Sequence, residues 1–215
     1  MDAGDLRRAK RVMIERHLKG RDISDPAVLR AMEEVPREEF VHKADRELAY
    51  ADNPLPIGCG QTISQPYIVA LMAQKLRLKK TDRVLEVGCG SGYQAAALSR
   101  LCAQVYTTEI VEGLAVEAAG RLARLGYANV AVRHCDGSLG WPEEAPFDKI
   151  IAAATARRTP KALEEQLAEG GLIILPVGAA FVQDLMLGEK RGGRIVYEAV
   201  TSVRFVPMTG AAEEL

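Results

Sequence analysis

Only four cysteines, Cys59, Cys89, Cys102 and Cys135, occur in the 215-residue chain, and none of them forms a Cys-x-x-Cys pair. The three histidines, His17, His42 and His134, are scattered. Together these shortages argue against a zinc site, so no metal is expected, and against a disulfide framework at this length. Free thiols in a reducing compartment are the simpler expectation. Neither sign of charge is in excess: the formal net charge is −1, which exerts no global pull toward nucleic acid or an anionic membrane. No apolar run approaches the length needed to cross a bilayer, and residues 1–8 lack the apolar core of a signal peptide. Internal repeats, low-complexity tracts and long linkers are missing too. A soluble, cytoplasmic and monomeric protein is expected, with no nucleic-acid or membrane partner, built as one domain over residues 1–215.

Helical patterns fill the first part. Leu6, Ala9, Met13 and Leu18 mark one face, with Gly20 as a stop. Asp25-Pro26 opens a second helix that must end near Pro36. Residues 1–53 therefore read as a helical extension, and 54–215 as the binding core. From Arg83 onward, strands and helices alternate. Strands are expected at 84–87, 105–108, 130–132, 149–153 and 172–177. Helices are expected at 95–101, from Leu114 to Leu125, and from about 160 to 168, with Gly170-Gly171 as a turn. Lys190-Arg191-Gly192-Gly193 signals a closing hairpin between 182–187 and 195–205. Regular βα alternation implies an α/β fold with a mostly parallel sheet, helices on both faces and an antiparallel C-terminal hairpin.

Ligands of such sheets bind beyond the carboxyl ends of the strands, where strand order reverses. Gly88-x-Gly90-x-Gly92 falls there. Tyr93 stands where a dinucleotide fingerprint needs its last glycine, and the lysine of a P-loop is absent. Glu86, at the end of the first strand, would repel a pyrophosphate but suits a ligand bearing an amine and a sulfonium. Glu109 ends the second strand, where a carboxylate meets ribose hydroxyls. Asp136 in Cys135-Asp136-Gly137 follows the third strand, toward the adenine side of the same ligand. Singly, each has a plain alternative: a tight turn, a helix cap or an Asp-Gly turn. Their joint register points to S-adenosylmethionine as the cofactor and to a Rossmann-like class I methyltransferase fold.

A polar loop, residues 56–65, lies upstream and breaks directly into a helix at Pro66. Ser64 is at or beside the N-cap, a place where an anion would rest. The alternative is a simple cap, worth about 1 kcal/mol. Cys59 and Cys89 lie in these two loops and are expected to be open to thiol reagents without taking part in the chemistry.

The blocks Gly60-Gln61-Thr62-Ile63-Ser64-Gln65-Pro66, Leu85-Glu86-Val87-Gly88, Asp136-Gly137-x-x-Gly140-Trp141 and Ala145-Pro146-Phe147-Asp148 resemble the protein-L-isoaspartate O-methyltransferases, as do Pro176-Val177-Gly178 and Phe205-Val206-Pro207. The resemblance runs from roughly residue 36 to 210. It implies methyl transfer to the α-carboxylate of L-isoaspartyl residues in damaged proteins, followed by cyclisation to a succinimide whose hydrolysis returns some normal aspartate. Isoaspartyl proteins and peptides are the implied partners. It further implies that Thr62, Ile63, Glu86, Gly88, Gly90, Gly92, Glu109, Ile110, Asp136, Gly137 and Thr209 hold the cofactor. Ile57, Ser64, Gln65 and Val206 would meet the substrate, with Ser64 in the catalytic role. Three places depart from the family pattern: Cys89, Cys135, and residues 153–160 after the fourth strand.

A substrate carboxylate is already ionised at neutral pH, so no general base is needed and Ser64 reads as a positioner, not a nucleophile. Rival readings are a methyltransferase for small-molecule carboxylates and a non-catalytic S-adenosylmethionine-binding module. Base-amine methylation is disfavoured because Ala152-Ala153-Ala154-Thr155 replaces the Asn/Asp-Pro-Pro-aromatic motif. Arg157, Arg158 and Lys161 read as a solvated face.

Overall fold

A computed structural model of the chain describes residues 3–179 and 182–214. The first helical pattern divides into α1 (Ala3–Val12) and a π-helical continuation over Met13–Lys19, which buries Met13, Ile14 and Leu18. Asp25 caps α2 (Pro26–Glu34): its Oδ1 accepts from the N–H groups of Ala27 and Val28 at 2.7 and 3.3 Å. Pro26 at the first helical position gives up no hydrogen bond there. Short 3₁₀ turns carry the chain onward to β1 (Leu55–Gly58) and β2 (Gln61–Ile63).

These two strands correct the expectation of a plain loop. They pair antiparallel, Leu55 with Ile63 and Pro56 with Thr62, around a turn at Cys59 and Gly60. α3 (Pro66–Lys75) follows. Next come β3 (Arg83–Val87), α4 (Tyr93–Ser99), β4 (Gln104–Glu109), α5 (Glu112–Arg124), β5 (Val130–His134) and β6 (Phe147–Ala152). The chain closes with α6 (Lys161–Gln166), β7 (Leu167–Ala179), β8 (Val182–Arg191) and β9 (Arg194–Val203).

The main sheet runs in the order β5-β4-β3-β6-β7-β8-β9. Its first five strands are parallel, and β8 and β9 add the expected antiparallel hairpin. Because β4 and β6 flank β3 on opposite sides, strand order reverses at the carboxyl end of β3. Alternate residues enter opposite layers, as the pleat requires. Val84, Ile151 and Ile174 join the layer that also contains Met13, Met32 and Phe40, so the N-terminal helices share this core. Leu85, Ile150 and Ile173 join the other layer with Phe147, Leu163 and Met208.

One boundary differs. The helix expected to reach residue 168 ends at Gln166, and β7 begins five residues before the expected start at 172. The register explains it: Phe147 pairs with Leu167, but Lys149 pairs with Leu172. The Gly170-Gly171 stretch is therefore absorbed as a bulge within the strand instead of turning the chain into it.

Candidate functional site

The loop after β3 wraps around the end of β4. Gly88 and Cys89 both donate their N–H to the Thr108 carbonyl, at 2.9 and 3.0 Å. Gly90 adopts φ +53°, and its N–H donates to Glu109 Oε2 at 2.7 Å. Glu109 Oε1 accepts from the Val111 N–H at 3.0 Å, so this buried carboxylate ties the glycine loop to the start of α5. Each oxygen keeps a further lone pair for a ligand. The floor is Gly137, where an added Cβ would fall 2.6 Å from both Thr108 Oγ1 and Val87 Cγ1.

Glu86 is fully buried behind this wall. Its Oε2 accepts from the Thr107 hydroxyl, while its Oε1 has no partner. Burial pushes its pKa up to about 8; the Thr107 hydrogen bond opposes the shift and the nearby Glu109 charge adds to it. Asp136 sits differently. Its Oδ1 accepts from the Ser138 N–H and hydroxyl at 2.9 and 2.7 Å, and its Oδ2 from the Ala211 N–H at 2.7 Å. Burial alone would raise this carboxyl, but the Ala211 and Ser138 hydrogen bonds outweigh it and hold it below its usual range. Asp136 thereby fastens the C-terminal turn beside Thr209.

Ser64 lies between β2 and α3. The N-cap of α3 is Gln65, without a side-chain capping bond. Asp52 orients this junction instead, accepting from Gln65 Nε2 at 2.7 Å and from the Tyr67 N–H at 3.4 Å. The Ser64 hydroxyl makes no hydrogen bond to another described residue. The simple capping explanation of this serine is therefore removed.

Two concavities meet here. A cavity of about 780 Å³, its open mouth included, is lined by Thr62, Ile63, Ser64, Gly88, Gly90, Glu109, Ile110, Gly137, Val206 and Thr209 among others. An adjoining groove is lined by Thr62, Ser64, Gln65 and the stretch 201–207, together with Arg21 and Tyr67. Thr62, Ser64, Ala153, Val206 and Pro207 belong to both. Residues 153–156 and 206–208 are held together by backbone: Thr155 N–H donates to the Val206 carbonyl at 2.9 Å, and Met208 N–H to the Thr155 carbonyl at 2.7 Å.

Four residues expected in the site do not line either concavity. Ile57 is buried, with its Cδ1 3.2 Å from where a Cβ on Gly90 would lie. Glu86 stands behind the wall, and Asp136 beside it. Gly92 faces α5, where a Cβ would meet Leu122 at 3.2 Å. Conversely, Val69, Tyr93, Gln94 and Ala153 line the cavity without having been singled out. Their helical or apolar setting looks like ordinary core, and no local pattern marks them. Cys59 is exposed as expected, but Cys89 is buried, and its thiol is raised well above its usual value by burial and by Glu86. Arg157, Arg158 and Lys161 are exposed.

Residues 8–213 match the family model described as protein-L-isoaspartate(D-aspartate) O-methyltransferase. A protein-L-isoaspartate O-methyltransferase of Opitutus terrae is 55% identical over 198 residues, covering 92% of this chain and 85% of the relative. One from Pelobacter propionicus is 53% identical over 204 residues, covering 94% and 91%. Among solved structures, a putative enzyme of this kind from Plasmodium falciparum, in complex with S-adenosyl-L-homocysteine, superposes with a TM-score of 0.79 at 28% identity. That similarity covers 92% of this chain and 96% of the other.

Proposed function

The chain belongs to the protein-L-isoaspartate(D-aspartate) O-methyltransferase family, and from that membership we propose how its own residues divide the work. The protein is a repair methyltransferase: it transfers a methyl group from S-adenosyl-L-methionine to the α-carboxylate of L-isoaspartyl residues in damaged proteins. The cofactor supplies, when bound, a methyl group on a positively charged sulfur. The cavity fits such a ligand. It combines Glu109 on the wall with an unpartnered Glu86 Oε1 behind it, and among its described lining residues there is no Lys, Arg or His.

In this reading Glu109 accepts the ribose hydroxyls with its remaining lone pairs, while Gly88, Gly90 and Gly137 allow close approach. Thr62, Ile63, Ile110 and Thr209 complete the wall. Glu86 acts from behind it as the acceptor for the ammonium, Gly92 packs the loop onto α5, and Asp136 acts by holding the turn next to Thr209. Ser64 donates its hydroxyl to the substrate carboxylate. The observation that carries this role is its position in the wall shared by cavity and groove, with a hydroxyl no described residue occupies. Gln65 and Val206 extend the peptide side, and Ile57 backs the glycine loop. Because the carboxylate is ionised at neutral pH, alignment alone is required of the protein.

We further propose a monomer, since the exposed large apolar side chains (Leu48, Val116 and Val182 among them) fall on separate segments. Four free cysteines support a reducing, cytoplasmic setting. The near-neutral charge supports proteins, not nucleic acid, as partners. The shared core supports one domain over 1–215, with 1–53 as its helical part.

The test is labelling by radioactive S-adenosylmethionine of two peptides that differ only in Asp versus isoAsp. Label is expected in the isoaspartyl peptide alone. Equal labelling of both, or of neither, overturns the reading.

A further inference from the structure

Gln94, the second residue of α4, is only 7% exposed and lines the cavity. Its Nε2 is buried and has no hydrogen-bond partner. A buried amide donor left empty is costly, and native interiors rarely keep one without a reason. The carboxamide turns about a terminal torsion with a broad energy profile, so its N–H can be presented to the cavity without a change of backbone.

The charge of the surroundings says what such a donor would meet. Glu109 is an acceptor, and the buried Glu86 behind it becomes one when a nearby positive charge favours its ionised form. Among the described lining residues no side chain is cationic, so an anionic group of a bound ligand must be held by neutral donors. Of the side chains on the wall, Gln94 is the one with a buried donor left without a partner. Resting on the cofactor reading above, we propose that Gln94 donates a hydrogen bond to the carboxylate at the amino-acid end of the cofactor. Glu86 Oε1, left without a protein partner, serves the ammonium of that same end, whose positive charge favours the ionised carboxylate. The two orphaned groups, one donor and one acceptor, match the two poles of a zwitterion.

Calorimetric titration of the full-length wild type and Gln94→Met tests this with two ligands. One is S-adenosyl-L-homocysteine. The other is 5′-(3-aminopropylthio)-5′-deoxyadenosine, which keeps the adenosine, the thioether and the ammonium but has no carboxylate. The variant should bind S-adenosyl-L-homocysteine roughly ten- to a hundredfold more weakly, the loss expected for a hydrogen bond to a charged group. Its affinity for the carboxylate-free ligand should equal that of the wild type. Its ligand-free melting temperature should match or exceed the wild type's, because the empty donor is gone. Gln94→Leu gives the same comparison should the methionine variant fail to fold. Equal binding of S-adenosyl-L-homocysteine, or parallel weakening of both ligands, overturns the proposal. A shift confined to the peptide KM would assign Gln94 to the substrate carboxylate, which overturns it while the cofactor reading stands. A wild type that binds neither ligand would instead bring down the cofactor reading, and this proposal with it.

Discussion

The cavity and the groove share a wall but are built in opposite ways. The cavity is assembled from the loops that follow β3, β4 and β5, locked by hydrogen bonds such as Gly90 to Glu109 and Gly88 to Thr108. The groove is assembled from distant pieces: Arg21, Pro54, the residues around Ser64, and 201–207. Part of its wall is held by Arg21 stacked 3.3 Å over the Tyr67 ring and by an Arg21–Asp52 pair at 3.4 Å. Polar groups in the cavity are desolvated, so water cannot replace a lost partner; in the groove it can. A small, invariant ligand justifies the first construction. Peptides of varied sequence are better met by the second.

The contrast ranks the consequences of mutation. The largest effect belongs to Glu109→Ala, which strips two part-buried backbone N–H groups of their acceptor as well as removing the proposed ribose partner. Two charge-assisted hydrogen bonds at about 1.5–3 kcal/mol each predict at least a hundredfold loss of affinity for S-adenosyl-L-homocysteine. Titration calorimetry measures it. Unchanged affinity would break the claim that the cavity is the rigid, expensive half.

Ser64→Ala probes the shared wall. Its kcat/KM on an isoaspartyl peptide should fall about ten- to a hundredfold, the worth of one hydrogen bond to a carboxylate. The Kd for S-adenosyl-L-homocysteine should stay within about twofold, and the melting temperature should not move, because Ser64 caps no helix. A drop in melting temperature with normal turnover would return the serine to a structural role.

Glu86→Gln sharpens the picture from the side of stability. A carboxyl lifted to about 8 in the folded protein stays protonated while its unfolded counterpart ionises near 4.5. The folded state then binds more protons, so ligand-free wild type loses stability as pH rises from about 4.5 toward 8. The variant lacks this slope. Melting curves between pH 5 and 8 should show a gap in its favour that widens with pH, by several degrees at the top. A gap that is constant with pH would mean that Glu86 is ionised throughout.

What could be read from the chain follows the same divide. The sheet, and the acids at strand ends, are local patterns: a short apolar run, then Glu109 or Gly88, within a few residues. Ser64 was legible because Pro66 announces the helix that it precedes. Asp136 was legible as an acid following a strand, but its hydrogen bond from the Ala211 N–H, 75 residues away, was not. The pairing of Thr155 with Val206 and Met208 likewise depends on tertiary contact, so the rim's departures at 153–160 could not be weighed in advance. Backbone forms that rim, which explains how small side chains such as Ala153 are accommodated there. The β1–β2 pair was missed because strands of three and four residues, one containing Pro56, carry too little alternation to register.

The smallest effect is expected in the groove. Arg204 is exposed, lines it, and has no ion-pair or hydrogen-bond partner among the described residues. An exposed cation offers a passing acidic side chain about 0–1 kcal/mol, screened by salt. Arg204→Ala should therefore raise KM only about two- to fivefold, and only for isoaspartyl peptides with Asp or Glu beside the damaged residue. Neutral peptides, kcat and cofactor affinity should be untouched, and about 0.5 M salt should erase the difference, since the screening length then falls below about 5 Å. Steady-state kinetics at two ionic strengths decides it. A tenfold loss that survives salt would mean that the groove, like the cavity, holds its ligand through desolvated contacts, and the contrast between the two would collapse.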